Sequence, residues 1–457
     1  MSFTRRNFLL GAGSGLGVLV LAACTDPSPT PQPTTSSTPV AGVPAPERSV
    51  RSNWSSDQFS RGSHSFATVG SSPDSRAALA APLLGRVFFA GEATSVDNPS
   101  TVLGARASGA RAAGEVLDAG AAREKVAVIG SGIAGAEAAR ILDVYGFDVV
   151  VIEARDRIGG RVHTATSQNW PLPVELGSWL LRETADASVI GRLVEAGLGA
   201  TAITTTVYEG ADVTENTVGP TTVTAAIDWA SKQNGDLSLA EALDESGVAE
   251  LSEGDELLLE QYLAQLSTIT GADAGELSSW FGVPELPTLG EQQVAVTGGY
   301  SAFVTKSLEG IETFFATTVL GVNYDDEGVS LKLGTGESLG VDRVVVTVPL
   351  GVLKDGGIEF EPLLPFTTRA AISELGFGTV DTVWLKFNEP FWSTDATAWK
   401  LLGTDHAITN WINLEPIIGE PILVGFVGGD AAVTLGAMDD EAFLEAALTS
   451  LAPFLEA

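Results

Sequence analysis

The sequence predicts an α/β fold in which a Rossmann-like domain is joined to a second, α+β domain. Three observations carry that expectation. An apolar run, Val126–Ile129, enters a turn holding Gly130, Gly132 and Gly135, and a second run, Asp148–Ile152, ends at Glu153. Residues 183–285 alternate helical periodicity with polar turns. Strand-like runs then return, among them Val344–Val348. At 457 residues and 44% hydrophobic, the chain can bury the cores of about two or three domains.

The first 24 residues read as targeting rather than fold. Thr4-Arg5-Arg6-Asn7-Phe8-Leu9-Leu10 resembles a twin-arginine export signal, and the apolar run to Ala23 is shorter than a membrane-spanning helix requires. Leu21-Ala22-Ala23-Cys24 resembles a lipoprotein box, so the expectation is a chain exported by the twin-arginine route. A lipid anchor at Cys24 then holds it to the outer face of the cell membrane. The alternative is an ordinary signal peptide with an incidental cysteine. Cys24 is the single cysteine, which excludes internal disulfides. Residues 25–47, rich in Pro, Ser and Thr, have little to bury and read as a disordered stalk. A net charge of −33 argues against a nucleic-acid partner, which needs a basic footprint.

In the glycine turn each residue has a physical task. Gly130 makes the bend, Gly132 lets the backbone approach a pyrophosphate, and Gly135 lets the helix pack on the strand. The helix should stop at Gly146, and its N-terminal amides and dipole favour a phosphate. Glu153, at the end of the next strand, can accept both hydroxyls of a ribose.

Residues 126–161 (VAVIGSGIAGAEAARILDVYGFDVVVIEARDRIGGR) and 87–113 (VFFAGEATSVDNPSTVLGARASGARAA) together resemble flavin-dependent amine oxidases, the monoamine, polyamine and L-amino-acid oxidase group. In that family the second block closes the chain and the first opens it. Here the closing block comes first, so the chain resembles a circular permutant. Pro173–Trp179, Val344–Leu353, Gly376-Phe377-Gly378 and Phe391-Trp392 follow in family order. A fused or misjoined gene is the rival account of the order.

The resemblance implies a Rossmann-like FAD-binding domain with an α+β substrate domain. Residues 48–122 are the displaced closing segment of the FAD domain, 123–182 its opening segment and 291–350 a later one. Residues 183–290 and 351–457 fall to the substrate domain. It also implies that the stretch carrying Arg155, Gly160 and Arg161 contacts the pyrophosphate. Gly91 and Glu92 lie against the ribityl–phosphate region, Val319 pairs with the adenine, and Trp54 packs beside the flavin. The helix from Thr101 to Leu117 should turn its N-terminus to the flavin carbonyls. Ser63 stands where some relatives carry a flavin-linking cysteine, so FAD is expected to be non-covalent.

Two departures bear on chemistry. Thr382 occupies the position of a family lysine that holds a water near flavin N5, and Lys386 lies about 13 Å further along the strand. Slow oxygen use, or another electron acceptor, is therefore expected. His64 and Thr101 replace the walls of an aromatic substrate cage. Arg182 is a candidate partner for a substrate carboxylate, with a structural role as the alternative. No His/Cys/Asp cluster has metal-ligand spacing.

The expected function is FAD-dependent oxidation of a primary or secondary amine, a polyamine or an amino acid to an imine. Hydride passes to flavin N5, and oxygen or a redox partner takes the electrons. The alternatives are an FAD-binding protein without amine turnover, and a desaturase- or protoporphyrinogen-oxidase-like flavoenzyme.

Overall fold

Five parallel strands, in the order Glu312–Phe314, Asp148–Ile152, Lys125–Ile129, Arg343–Val346 and Val87–Phe89, form the sheet that organises the first domain. A computed structural model describes residues 39–167, 169–210, 213–283, 293–403 and 406–455. The expected export and lipoprotein signal and residues 25–38 of the expected stalk lie outside the described residues. The last part of that stretch is not disordered, Val43 being completely buried and Glu47 paired with Lys386. Parallel strands are covered on both faces, so their sequences are continuous apolar runs rather than alternating ones. Val126, Ala127, Val128, Val344 and Val345 are accordingly completely buried.

The segment 48–122 is built into this framework. Its strand Val87–Phe89 pairs in parallel with Arg343–Val346. Its helix Val102–Ala119 packs on Ile133–Val144, the helix that follows the glycine turn. At Gly109 the backbones are so close that a Cβ would clash with Ala134 O. Residues 120–124 then link the helix directly to the Lys125–Ile129 strand.

The sequence assigned the whole of 48–122 to the dinucleotide domain, but its first strand pairs elsewhere. Strand Arg48–Arg51 runs antiparallel to Val380–Lys386 at the edge of a six-stranded sheet. The other strands, in order, are Ile422–Gly428, Asn410–Asn413, Ala398–Leu401 and Thr206–Glu209. Val383, Leu385, Trp399, Trp411 and Leu423 bury one face of this sheet against Phe443, Leu444 and Leu448 of the Asp440–Ser450 helix. By the period-two alternation of strands, Thr382, Trp384 and Val424 point to the other side.

Helices Val218–Ala230, Leu239–Ser246 and Glu253–Thr270 supply the helical part foreseen in 183–285. Ser238 and Glu241 form a capping box, and Gly247 and Gly271 close two of the helices in the left-handed conformation. Strands Gly199–Ile203 and Thr206–Glu209, which helical periodicity did not foresee, join two separate sheets. They are short and half-buried, and Gly199–Ile203 takes its pairing from the distant Gln293–Thr297 strand. No described helix is long and apolar enough to cross a membrane.

Candidate active site

A cavity of about 1360 Å³ runs from the glycine turn to the open face of the six-stranded sheet. Ordinary ligand pockets hold about 300–1,000 Å³, so this one has room for a dinucleotide together with a small substrate. At the first end lie Gly130, Gly132, Glu153, Gly160, Val319 and Thr347. Gly130 has φ of 103°, and a Cβ at Gly135 would clash with Gly130 O, as the tight bend and close helix approach require. The hypothetical Cβ of Gly132 meets only Gly159 O, at 3.8 Å, leaving the helix start accessible to an anion.

Glu153 accepts hydrogen bonds from Ser131 N at 2.8 Å, Ser131 Oγ at 2.7 Å and Arg155 N at 2.8 Å. A carboxylate has about four lone-pair sites, so acceptor capacity remains for a ribose hydroxyl. The Arg155 guanidinium is turned elsewhere. It makes a bidentate pair with Asp57, at 2.6 and 2.7 Å, and donates to Ser60 Oγ. Instead of reaching freely for a phosphate, it ties residues 57–60 to the dinucleotide unit.

Glu92 is the hub of the middle section. It is buried and accepts from Arg161 Nη1 at 2.8 Å, Ser65 Oγ at 2.6 Å and Ser100 N at 3.1 Å. Arg76 donates to the same Ser65 hydroxyl. Burial pushes the carboxyl up, but Arg161, Arg76 and the hydrogen bonds outweigh it and hold its pKa below the ordinary value. Trp54 donates its indole N–H to Leu176 O at 3.1 Å. Thr101 caps its helix, accepting from Gly104 N at 3.0 Å and donating to Asn98 O at 2.9 Å. Its hydroxyl is thereby spent on the helix start rather than left facing a substrate, and that helix start opens on the cavity beside Gly91. Ser63 is likewise engaged, donating to Val380 O at 2.8 Å.

At the far end the polar groups are less satisfied. Among the described residues, His64 Nδ1, Trp179 Nε1 and Thr382 Oγ1 are buried without a hydrogen-bond partner, and all three residues line the cavity. Such orphans are rare in folded proteins and mark a place where a bound group is expected. Burial lowers the His64 pKa, against Glu92 and with Arg161, so the imidazole is neutral at neutral pH. Trp179 stacks on Phe426 at 5.9 Å between centroids, forming an apolar wall next to Thr382, whose cross-strand neighbour is Phe426.

Lys386 is held on Glu47 at 2.5 Å, so it does not replace the missing lysine at Thr382. Arg182 pairs with Asp186 through its Nε and its backbone N–H, at 3.1 and 2.8 Å. Arg182, which lines the cavity, therefore has a carboxylate partner within the fold. The sequence reading passed over Lys400, Asn410 and Phe426, which reach the cavity only through strand pairing. No cluster able to hold a metal ion occurs among the described residues.

The geometry agrees with what known proteins show. The chain matches the family described as flavin containing amine oxidoreductase over residues 36–117 and 133–457. Polyamine oxidase 2 of Arabidopsis thaliana is 31% identical over 358 residues, 71% of each chain. Polyamine oxidase 3 of Oryza sativa subsp. japonica is 30% identical over 373 residues, 72% of each. A solved putrescine oxidase bound to putrescine is similar in fold, with a TM-score of 0.58 at 20% identity, covering 73% of this chain and 81% of that one. With an accessible glycine turn, a buried acid at the end of the second strand and orphaned polar atoms beyond them, the residues present fit FAD. The chain belongs to the flavin-containing amine oxidoreductase family and is an FAD-dependent amine oxidoreductase.

Proposed function

We propose that the protein is an exported, lipid-anchored oxidoreductase of the polyamine- and putrescine-oxidase type whose catalytic region is circularly permuted. The carrying observation is the single cavity in which a fully paired dinucleotide end continues into an end with three unpartnered polar groups. FAD, when bound, supplies the hydride acceptor for oxidation of an amine to an imine, which water then hydrolyses.

The chain's own residues have separable tasks. Gly130, Gly132, Gly135 and Glu153 hold the nucleotide end, with Val319 beside it. Glu92, Arg161, Gly91 and Trp54 shape the middle. Neutral His64 adds no positive charge against an amine, and the Trp179–Phe426 wall excludes water from the reacting carbon. Thr382 offers a hydroxyl where a cation would favour oxygen reduction, so an acceptor other than oxygen is expected to work faster. Turnover is tested by incubating the purified flavoprotein with an amine panel and a dye acceptor. Aldehyde and ammonia are the expected products. Bound flavin with no amine turnover would favour the binding-protein alternative.

Several features support the permutation. A Cβ at Gly42 would lie 3.0 Å from Leu455, so the two described ends of the catalytic region adjoin. Permutation is tolerated where the old termini are neighbours, and here they would meet across residues 120–124, between the Val102–Ala119 helix and the Lys125–Ile129 strand. The family match falls into two blocks, and the sequential alignments leave out roughly a quarter of the chain, about the share that precedes Glu124. Joining the C-terminus to Glu47 by a short linker and opening the chain before Arg123 should therefore preserve flavin content and turnover. An insoluble or flavin-free product would count against it. Export and anchoring rest on residues 4–10 and 21–24, and fatty-acid labelling should disappear in Cys24→Ser.

A further inference from the structure

We infer that Lys400 is a recognition site for an anionic group at the far end of the substrate, so that the preferred amine is a long ω-aminocarboxylate rather than a polyamine. This rests on the reading of the cavity as an amine-oxidation site.

Lys400 sits in one cross-strand row with Thr382. Thr382 pairs with Phe426, Phe426 with Asn410, and Asn410 with Lys400, and all four line the cavity. Residues in one row project to the same face of a sheet. Three strand spacings separate the ends of the row, about 14 Å between backbones. A carboxylate on the reacting carbon would therefore be out of reach of Lys400, whereas one at the far end of a long chain would not.

Charge sets this lysine apart. The cavity is lined by four arginines and one lysine among the described residues. Arg155 is paired with Asp57, Arg161 with Glu92, and Arg182 with Asp186, while Arg76 shares Ser65 with Glu92. Among the described residues Lys400 makes one hydrogen bond, from Nζ to Asn410 Oδ1 at 2.7 Å, and no carboxylate among them lies within ion-pair distance. The neighbours beyond Asn410 are also neutral, Gln261 donating to Asn410 Oδ1 at 3.4 Å and Asn216 to Gln261 Oε1 at 3.3 Å. Burial pushes the ammonium down to about 8, still largely protonated at neutral pH. A buried ammonium that lacks an anion is costly to the fold, and a ligand carboxylate offsets that cost through a charge-assisted bond. A polyamine would instead place a second ammonium against it.

The test compares octylamine, octane-1,8-diamine, 8-aminooctanoate and 2-aminooctanoate in anaerobic flavin reduction by the full-length holoprotein. The expected wild-type order puts 8-aminooctanoate about 10–100-fold above octylamine in apparent affinity, with the diamine below both and no gain for the 2-amino isomer. Lys400→Met should abolish the 8-aminooctanoate advantage over octylamine, and Lys400→Glu should favour the diamine. Equal affinities for the four amines in the wild type would overturn the inference and leave amine oxidation standing. Reduction by none of them would remove the amine reading, and the inference with it. The wild-type comparison decides even if a variant fails to fold.

Discussion

At the dinucleotide end of the cavity the charged groups already have partners inside the fold, whereas at the far end several polar groups have none. Glu153 is held by Ser131 and the Arg155 backbone, Glu92 by Arg161, Ser65 and Ser100, and Arg155 by Asp57. His64 Nδ1, Trp179 Nε1 and Thr382 Oγ1 are orphaned, and Lys400 lacks a described counter-ion. The first arrangement is held by contacts within the fold itself. The second is complete only when something binds. Preorganisation at one end and unsatisfied capacity at the other suit a resident cofactor beside an exchanging substrate.

The strongest way to break the paired end is Glu92→Gln. It leaves buried Arg76 and half-buried Arg161 without their carboxylate, and losing one member of a buried pair costs about 3–5 kcal/mol. A lower unfolding temperature and loss of flavin absorbance on gel filtration are expected. A variant that melts and retains flavin like wild type would show that the hub is dispensable.

Next in size is pH. Asp381 is buried behind Thr382, and its Oδ1 accepts from Ser52 Oγ and Trp54 N. Burial pushes its pKa up to about 6, against those bonds, and burial likewise pushes Glu175 up to about 7, against bonds from Tyr300 and Thr164. Both pKa values are raised on folding, so the fold favours the protonated acids. Their stabilisation is full below the ordinary carboxylate range and is lost as pH rises through about 6 to 7. Each contributes about 3 kcal/mol to that loss. In urea unfolding across pH, Asp381→Asn and Glu175→Gln should each flatten it. The general repulsion of a −33 chain acts on wild type and variants alike, so an unchanged slope would locate the effect elsewhere.

Thr382→Lys sharpens the contrast at the other end. A cation there should speed oxygen reoxidation of the reduced holoprotein at least tenfold, worth about 1.4 kcal/mol of barrier. Stopped-flow reoxidation rates unaffected by the change would show that this position does not control oxygen.

The same contrast explains what could be read from the sequence. The glycine turn, the flanking strands and Glu153 are consecutive, so local spacing located them, and the structure returns Lys125–Ile129 and Asp148–Ile152 almost as expected. The Val102–Ala119 helix was legible for the same reason. That the Thr101 hydroxyl would be spent on capping its helix could not be read in advance, because the choice of cap is settled by backbone geometry. Lys400 carries no local signal. It looks like any strand lysine in Ala398–Leu401 until pairing across Asn410 and Phe426 aligns it with Thr382. Arg182 showed the reverse, a cation that resembled a substrate anchor until Asp186 claimed it.

The most direct measurement is anaerobic mixing of the purified holoprotein with an amine substrate, followed by admission of oxygen, with the visible flavin absorption followed throughout. An FAD amine oxidoreductase with Thr382 at the reacting end should bleach on mixing and recover slowly in oxygen. A protein that carries no flavin band, or one whose band no amine bleaches, would contradict the assignment of the two ends.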